Sequence, residues 1–230
     1  MSDAEGGAGI APPPIRDAAT VVLLRDAATA PAVLMGQRGA GAAFMPMKFV
    51  FPGGAVDPGD AAVPLARPLA PACRTRLAAE SAGPSPEALA AAAVRELWEE
   101  AGLVLGLPGA WPAPAPPDWQ GFAATGHLPS AEGLEFVFRA ITPPGRPRRF
   151  DARFFLADAA AIAGDPDDFS RASDELSHPQ WVPLDRARGF DLPFITTVVL
   201  AEIAARLRGA APEGVPFFRN AGTRSEFLRL

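Results

Sequence analysis

Within Arg95-Glu96-Leu97-Trp98-Glu99-Glu100-Ala101-Gly102-Leu103, three carboxylates stand at positions i, i+3 and i+4. At about 100° per residue on a helix, Glu99 and Glu100 fall roughly 60° and 40° either side of Glu96. All three therefore share one face, and Val94, Leu97, Trp98 and Ala101 share the opposite one. Three acids within one turn repel one another by roughly a few tenths of a kcal/mol for each exposed pair, and by more once desolvated. A divalent cation offsets that repulsion, and an all-oxygen donor set suits magnesium or manganese rather than zinc. Arg95 precedes Glu99 by four residues, close enough to pair with it and orient it. The plain alternative is a solvated acidic helix face with one i,i+4 ion pair. Two flanking features weigh against it: Phe51-Pro52-Gly53-Gly54 upstream and Gly102 immediately downstream.

The helix that must present these acids has readable ends. Ser85 is a cap, Pro86 occupies the first helical position and Glu87 the first turn. The run over 88–101 stops at Gly102, the left-handed position that closes many helices. Apolar stretches at 19–24 and 32–36, around Arg25-Asp26-Ala27, read as a two-stranded hairpin, and Phe49-Val50-Phe51 as a third short strand. Residues 134–141, 153–157 and 180–182 read as further strands, and 192–207 as a terminal amphipathic helix. Residues 73–81 read as a short helix and 106–120, rich in proline, as a loop. Strands and helices mix without a βαβ rhythm, so the fold class is α+β.

Composition sets the bounds. The 230 residues include 27 prolines and 22 glycines, and alanine is the commonest type, so the core-forming remainder suits one domain rather than two. A net charge of −5 with no basic tract argues against nucleic-acid binding. The single cysteine, Cys73, excludes a disulfide framework and a cysteine-based zinc site. No apolar run approaches the roughly 20 residues of a membrane span, and the N-terminus lacks a basic-then-apolar signal pattern. The reading is a soluble, cytoplasmic chain. Residues 1–17 read as a disordered leader, 18–208 as the domain and 209–230 as a C-terminal tail.

The glycine pair and the acidic helix together resemble the signature of the Nudix hydrolases, G-x5-E-x7-R-E-U-x-E-E-x-G-U, with U a bulky aliphatic residue. The second half is matched at Arg95, Glu96, Leu97, Glu99, Glu100, Gly102 and Leu103. In the first half, Gly54 starts the match and Asp60 stands where the family has glutamate. From Asp60 to Arg95 there are 34 intervening residues instead of 7, an insertion covering 61–86. Loop-closure entropy grows slowly with length, so the two halves can still meet. An insertion at this point is similar to the coenzyme A diphosphatase-like branch of the family.

The resemblance implies an α/β/α sandwich about a mixed central sheet. It also implies Mg²⁺-dependent (or Mn²⁺-dependent) hydrolysis of a nucleoside diphosphate linked to another moiety, with coenzyme A or a derivative as the first candidate. Glu96, Glu99 and Glu100 would hold the metal together with a backbone carbonyl at Gly54, with Gly53 and Gly102 shaping the loop and the helix end. The proton-accepting carboxylate would be Glu99 or an acid on a distant loop, for which Glu175 in Ser173-Asp174-Glu175-Leu176 is the candidate. Arg38, Arg149 and Arg153 are candidates for phosphate contacts and Phe51 for a base contact. His127 and His178 read as structural. The partner expected is a small nucleotide substrate, and the assembly suggested by relatives is a homodimer. Rivals are an ADP-ribose or NADH diphosphatase and a non-catalytic nucleotide-binding module of the same fold.

Overall fold

The computed structural model describes residues 13–42, 44–210, 213–221 and 224–230. Residues 1–12 of the expected leader lie outside these. Residues 15–17 do not belong to a leader, because they begin the first strand.

Among the described residues, eleven strands and four helices follow in order: β1 (Ile15–Arg25), β2 (Ala32–Arg38), β3 (Phe49–Val50), β4 (Gly53–Ala55), α1 (Pro71–Ala78), α2 (Pro86–Ala101), β5 (Gly106–Pro108), α3 (Gln120–Ala123), β6 (His127–Pro129), β7 (Glu135–Ile141), β8 (Arg149–Asp158), β9 (Leu176–Pro183), α4 (Phe194–Leu207), β10 (Pro216–Ala221) and β11 (Arg224–Arg229). The main sheet runs β11-β10-β7-β8-β1-β2-β3, with β4 also paired to β1 and β9 to β2. It is mixed: β1 lies parallel to β8 from Ile15↔Arg149 to Leu24↔Asp158, while β1–β2 and β7–β8 are antiparallel.

Strand β1 is central because its side chains are apolar on both faces. Ala19, Val21 and Leu23 point into one core with the buried side of α2, and Val22 and Leu24 point into another with Val199, Leu200 and Ile203 of α4. The α+β sandwich expected from the sequence is therefore formed around this strand. In α2, Ala90, Ala91, Ala92 and Ala93 are fully buried. A run of small side chains lets the helix axis come close to the sheet, so the alanines are packing residues here. Ser85 Oγ accepts from the Ala88 N–H at 3.1 Å, and Gly102, at φ 72°, ends the helix with its N–H donated to the Trp98 carbonyl at 2.8 Å.

Three parts differ from the sequence reading. The segment after 208 is no simple tail. Strand β10 pairs in parallel with β7 at Phe217↔Arg139 and turns back into β11, because its alternating Phe217 side chain is buried. Residues 106–120 are not all loop: β5 pairs with β6, and Trp119 is 1% exposed in a 3-10 turn at Pro117–Trp119. The insertion 61–86 is built into the fold. Its Val63, Leu69, Cys73 and Leu77 join the α2-side core, and Arg67 bridges to Ser130.

Candidate active site

The two halves of the motif meet through β4. Ala19 of β1 is the register partner of Gly54, and Thr20 that of Gly53, so the glycine pair is pinned to the central strand. From there the loop passes over α2. The Gly53 N–H donates to Glu100 Oε2 at 2.8 Å. Both glycines are required by close approach. A Cβ on Gly53 would stand 2.5 Å from Thr20 Oγ1, and one on Gly54 2.5 Å from the Glu96 carboxylate.

Arg95, 3% exposed, organises the acids. Its Nε donates to Asp60 Oδ1 at 3.0 Å and its Nη2 to Asp60 Oδ2 at 3.1 Å, a bidentate pair. Nη1 donates to Glu96 Oε1 and to Glu99 Oε2, each at 2.9 Å, and Nη2 also reaches the Ala55 carbonyl at 2.8 Å. Asp60 is itself buried and accepts from Trp119 Nε1 at 3.0 Å. Aspartate therefore serves where the signature has glutamate, because the 3-10 turn Pro58–Ala62 brings its shorter side chain directly under Arg95. Trp119 was not legible as part of this site. It lies in a proline-rich stretch with no periodicity, 59 residues from Asp60.

The acidic face is not solvated. Glu96 is 8% and Glu100 2% exposed, and only Glu99 is half-exposed. Burial pushes the Glu96 carboxyl up to about 7, with Arg95 pulling it down and Glu99 adding to the rise. Burial likewise pushes Glu100 up to about 8, the Glu96 charge adding to it while the Gly53 N–H and Arg38 oppose it. Glu99 is raised by burial against the pull of Arg95. For Arg95, burial disfavours the charge, but the Asp60 bonds and the surrounding carboxylates hold its pKa above the ordinary value.

These acids line one end of a cleft of about 610 Å³. Arg38, Phe51 and Glu175 line it too. The Glu175 loop is docked on the end of α2: the Ser173 N–H donates to the Glu99 carbonyl at 3.1 Å. A Cβ on Gly102 would stand 2.9 Å from the Arg171 backbone, so that glycine makes room for the same loop. Buried Arg38 Nε has no hydrogen-bond partner among the described residues.

Two of the arginines singled out in the sequence are elsewhere. Arg149 donates to the Thr142 carbonyl at 3.1 Å and the Asn220 carbonyl at 3.3 Å. Arg153, 1% exposed, is bound to Asp17, to the Asp151 carbonyl at 2.8 Å and to Ser81 Oγ at 3.1 Å. Neither lines the cleft. On β8 the odd-numbered side chains point to the α2 side, and it is Phe150, Ala152 and Phe154 that face the cleft. The insertion 61–86 does not line the cleft either. His127 is tied through Nδ1 to Thr125, outside the cleft.

Whether a divalent metal suits this set can be judged from the donors. Glu96, Glu99 and Glu100 each have one oxygen held by a protein donor, at Arg95, Arg95 and Gly53 respectively. The other oxygen of each has no protein hydrogen bond among the described residues. No group of three carboxylate, imidazole or thiolate side chains among those residues already surrounds one point as a finished cage. Arg95 holds two of the acids in an open arrangement. The residues nevertheless fit a hard cation: buried carboxylates with raised pKa, all-oxygen chemistry, and a glycine backbone against one of them.

The arrangement is thus a mixed sheet between helices, with a glycine loop closed on an arginine-braced acidic helix end. No protein-family model matches the chain, and no curated protein matches it. Among solved structures, a Nudix hydrolase from Alicyclobacillus acidocaldarius is 32% identical, with 84% of this chain and 92% of that one covered and a TM-score of 0.61. The chain belongs to the Nudix hydrolase family. An Ap4A hydrolase from C. elegans (18% identical, 85% and 99% covered, TM-score 0.49) is also similar. So is the Nudix domain of NrtR from Shewanella oneidensis, crystallised with ADP ribose (16% identical, 90% and 99% covered, TM-score 0.48). At these levels neither bears on what this chain binds.

Proposed function

We infer that the chain hydrolyses the diphosphate linkage of a nucleoside diphosphate joined to a second moiety, coenzyme A or a derivative being the first candidate. The observation that carries this is the pair of buried glutamates, Glu96 and Glu100, closed over by Gly53 and Gly54 at one end of a substrate-sized cleft. Mg²⁺ or Mn²⁺, held by Glu96, Glu99, Glu100 and the Gly54 carbonyl, would neutralise diphosphate charge and acidify bound water. The chain's own residues supply the rest. Arg95 orients Glu96 and Glu99 and opposes the rise that burial imposes on both carboxyls. Glu99 or Glu175 takes the proton of the attacking water. The new bond joins the water oxygen to one phosphorus, the bridging P–O bond breaks, and two phosphate monoesters leave. Arg38 offers its unpartnered guanidinium edge to a phosphate oxygen, and Phe51 contributes an apolar wall.

The test is a panel of nucleotide diphosphate conjugates incubated with Mg²⁺, with products identified by mass. Release of 4′-phosphopantetheine with adenosine 3′,5′-diphosphate supports the first candidate. AMP with ribose 5-phosphate would place ADP-ribose first instead. Silence across the panel would overturn the hydrolytic reading in favour of nucleotide binding without cleavage.

A further inference from the structure

The cleft has two poles. One end carries Asp57, the three helix glutamates and Glu175, and the other carries Arg16, Arg146 and Arg148. Arg16 lies on β1, and the other two lie on the loop joining β7 to β8, so two separate elements bring the cations together. None of the three makes an ion pair or a side-chain hydrogen bond among the described residues, whereas Arg95 at the acidic pole is fully engaged. Nor are they a continuation of the buried arginines, since neighbouring Arg149 is turned into the protein and capped by two carbonyls.

The register sets the separation. Gly54 pairs with Ala19, and Arg16 lies three residues further along the same strand, roughly 10 Å at the rise of a β-strand. Between the poles run the apolar side chains of Ala18, Ala152 and Phe154, as far as Phe150, the register partner of Arg16. The Phe150 ring meets Phe44 edge-on, with centroids 5.4 Å apart. A diphosphate seated at the glutamates is shorter than this span, and a ligand that fills the cleft meets three free guanidinium groups at its far end.

We propose that Arg16, Arg146 and Arg148 form a second anion subsite, and that the preferred ligand carries a phosphate monoester remote from the diphosphate that is cut. This rests on the hydrolytic reading for the location of the diphosphate. A dianionic monoester matches three guanidinium groups better than a neutral hydroxyl does, because each guanidinium can donate two parallel N–H bonds to phosphate oxygens. The subsite selects among ligands that share a diphosphate and differ in that one group.

Calorimetric binding tests this in EDTA, where metal-dependent turnover is suppressed, using two pairs that differ by one phosphate monoester: coenzyme A against 3′-dephospho-coenzyme A, and NADP⁺ against NAD⁺. The expected result is that the phosphorylated member of at least one pair binds about tenfold tighter or more. The triple substitution R16A/R146A/R148A should bring that advantage to within about twofold. Equal affinities in both pairs, no binding by any member, or an advantage that survives the triple substitution would overturn the subsite. The outcome is separable from that of the hydrolytic reading. Preferential binding without cleavage in Mg²⁺ keeps the subsite and removes the reaction; cleavage without preference does the reverse.

Discussion

Arg95 is the residue on which the geometry of the carboxylates turns. It is buried, it spends its donors on Asp60, Glu96, Glu99 and the Ala55 carbonyl, and so it joins the glycine half of the motif to the helical half. Removing one partner of a buried pair leaves the other uncompensated, which costs more than the pair contributes. Asp60→Asn is accordingly expected to lose about 3 kcal/mol of stability in urea unfolding, and to lower turnover because Arg95 is released. A change within about 0.5 kcal/mol would show that Glu96 and Glu99 alone hold the guanidinium. The arginine–glutamate run was legible in the sequence because helical spacing converts directly into a shared face. Arg149 and Arg153 were misread because composition cannot separate an arginine buried among carbonyls and aspartates from one facing a ligand. The strand alternation that separates them needs the register of β8.

Elements place these residues by close approach. Strand β4 lies on β1 and under α2 only because positions 53 and 54 lack side chains. Gly54→Ala would put a methyl group against the Glu96 carboxylate. A roughly 100-fold fall in kcat/KM with little change in melting temperature is expected, since displacement of about 1 Å at a reacting group is enough for that loss. Unaltered kinetics would contradict the close packing. The insertion behaves in the opposite way. Helix α1 contributes Cys73 and Leu77 to the core and nothing to the cleft. Leu77→Ala should cost about 2–5 kcal/mol in denaturant unfolding while kcat/KM per folded molecule is unchanged. A kinetic defect at full folding would mean that the insertion reaches the site. Where the sequence was periodic or capped, as in α2, β1 and α4, elements were legible. Strands β10 and β11 and the β5–β6 ribbon were not, because they are short and defined by their pairing partners.

For the whole molecule, the buried acids link stability to pH and to metal. Glu96 and Glu100 have folded values near 7 and 8 against an ordinary value of 4.5. The folded state therefore binds protons more tightly than the unfolded chain. Their stabilising contribution is fully present below about pH 4.5 and is lost as pH rises through 7 to 8. The melting temperature in EDTA should fall from pH 5 to pH 8, and added Mg²⁺ should raise it more at pH 8, where the two carboxyls have given up more of their protons, than at pH 5. A Mg²⁺ effect equal at both pH values would dissociate the metal from these acids. Size places no further demand on the chain: among the described residues no helix is long and apolar enough to cross a membrane, and both cores share the one central strand. On the proposed function, the α2 glutamates form a divalent-metal centre for diphosphate cleavage. This is tested most directly by titrating Mg²⁺ into the hydrolysis assay of EDTA-treated wild-type protein and of the Glu96→Gln, Glu99→Gln and Glu100→Gln variants. No wild-type turnover is expected before Mg²⁺ is added, with a loss of about 100-fold or more in each variant at saturating Mg²⁺. Wild-type turnover without Mg²⁺, or full activity in any one of the three variants, would contradict that function.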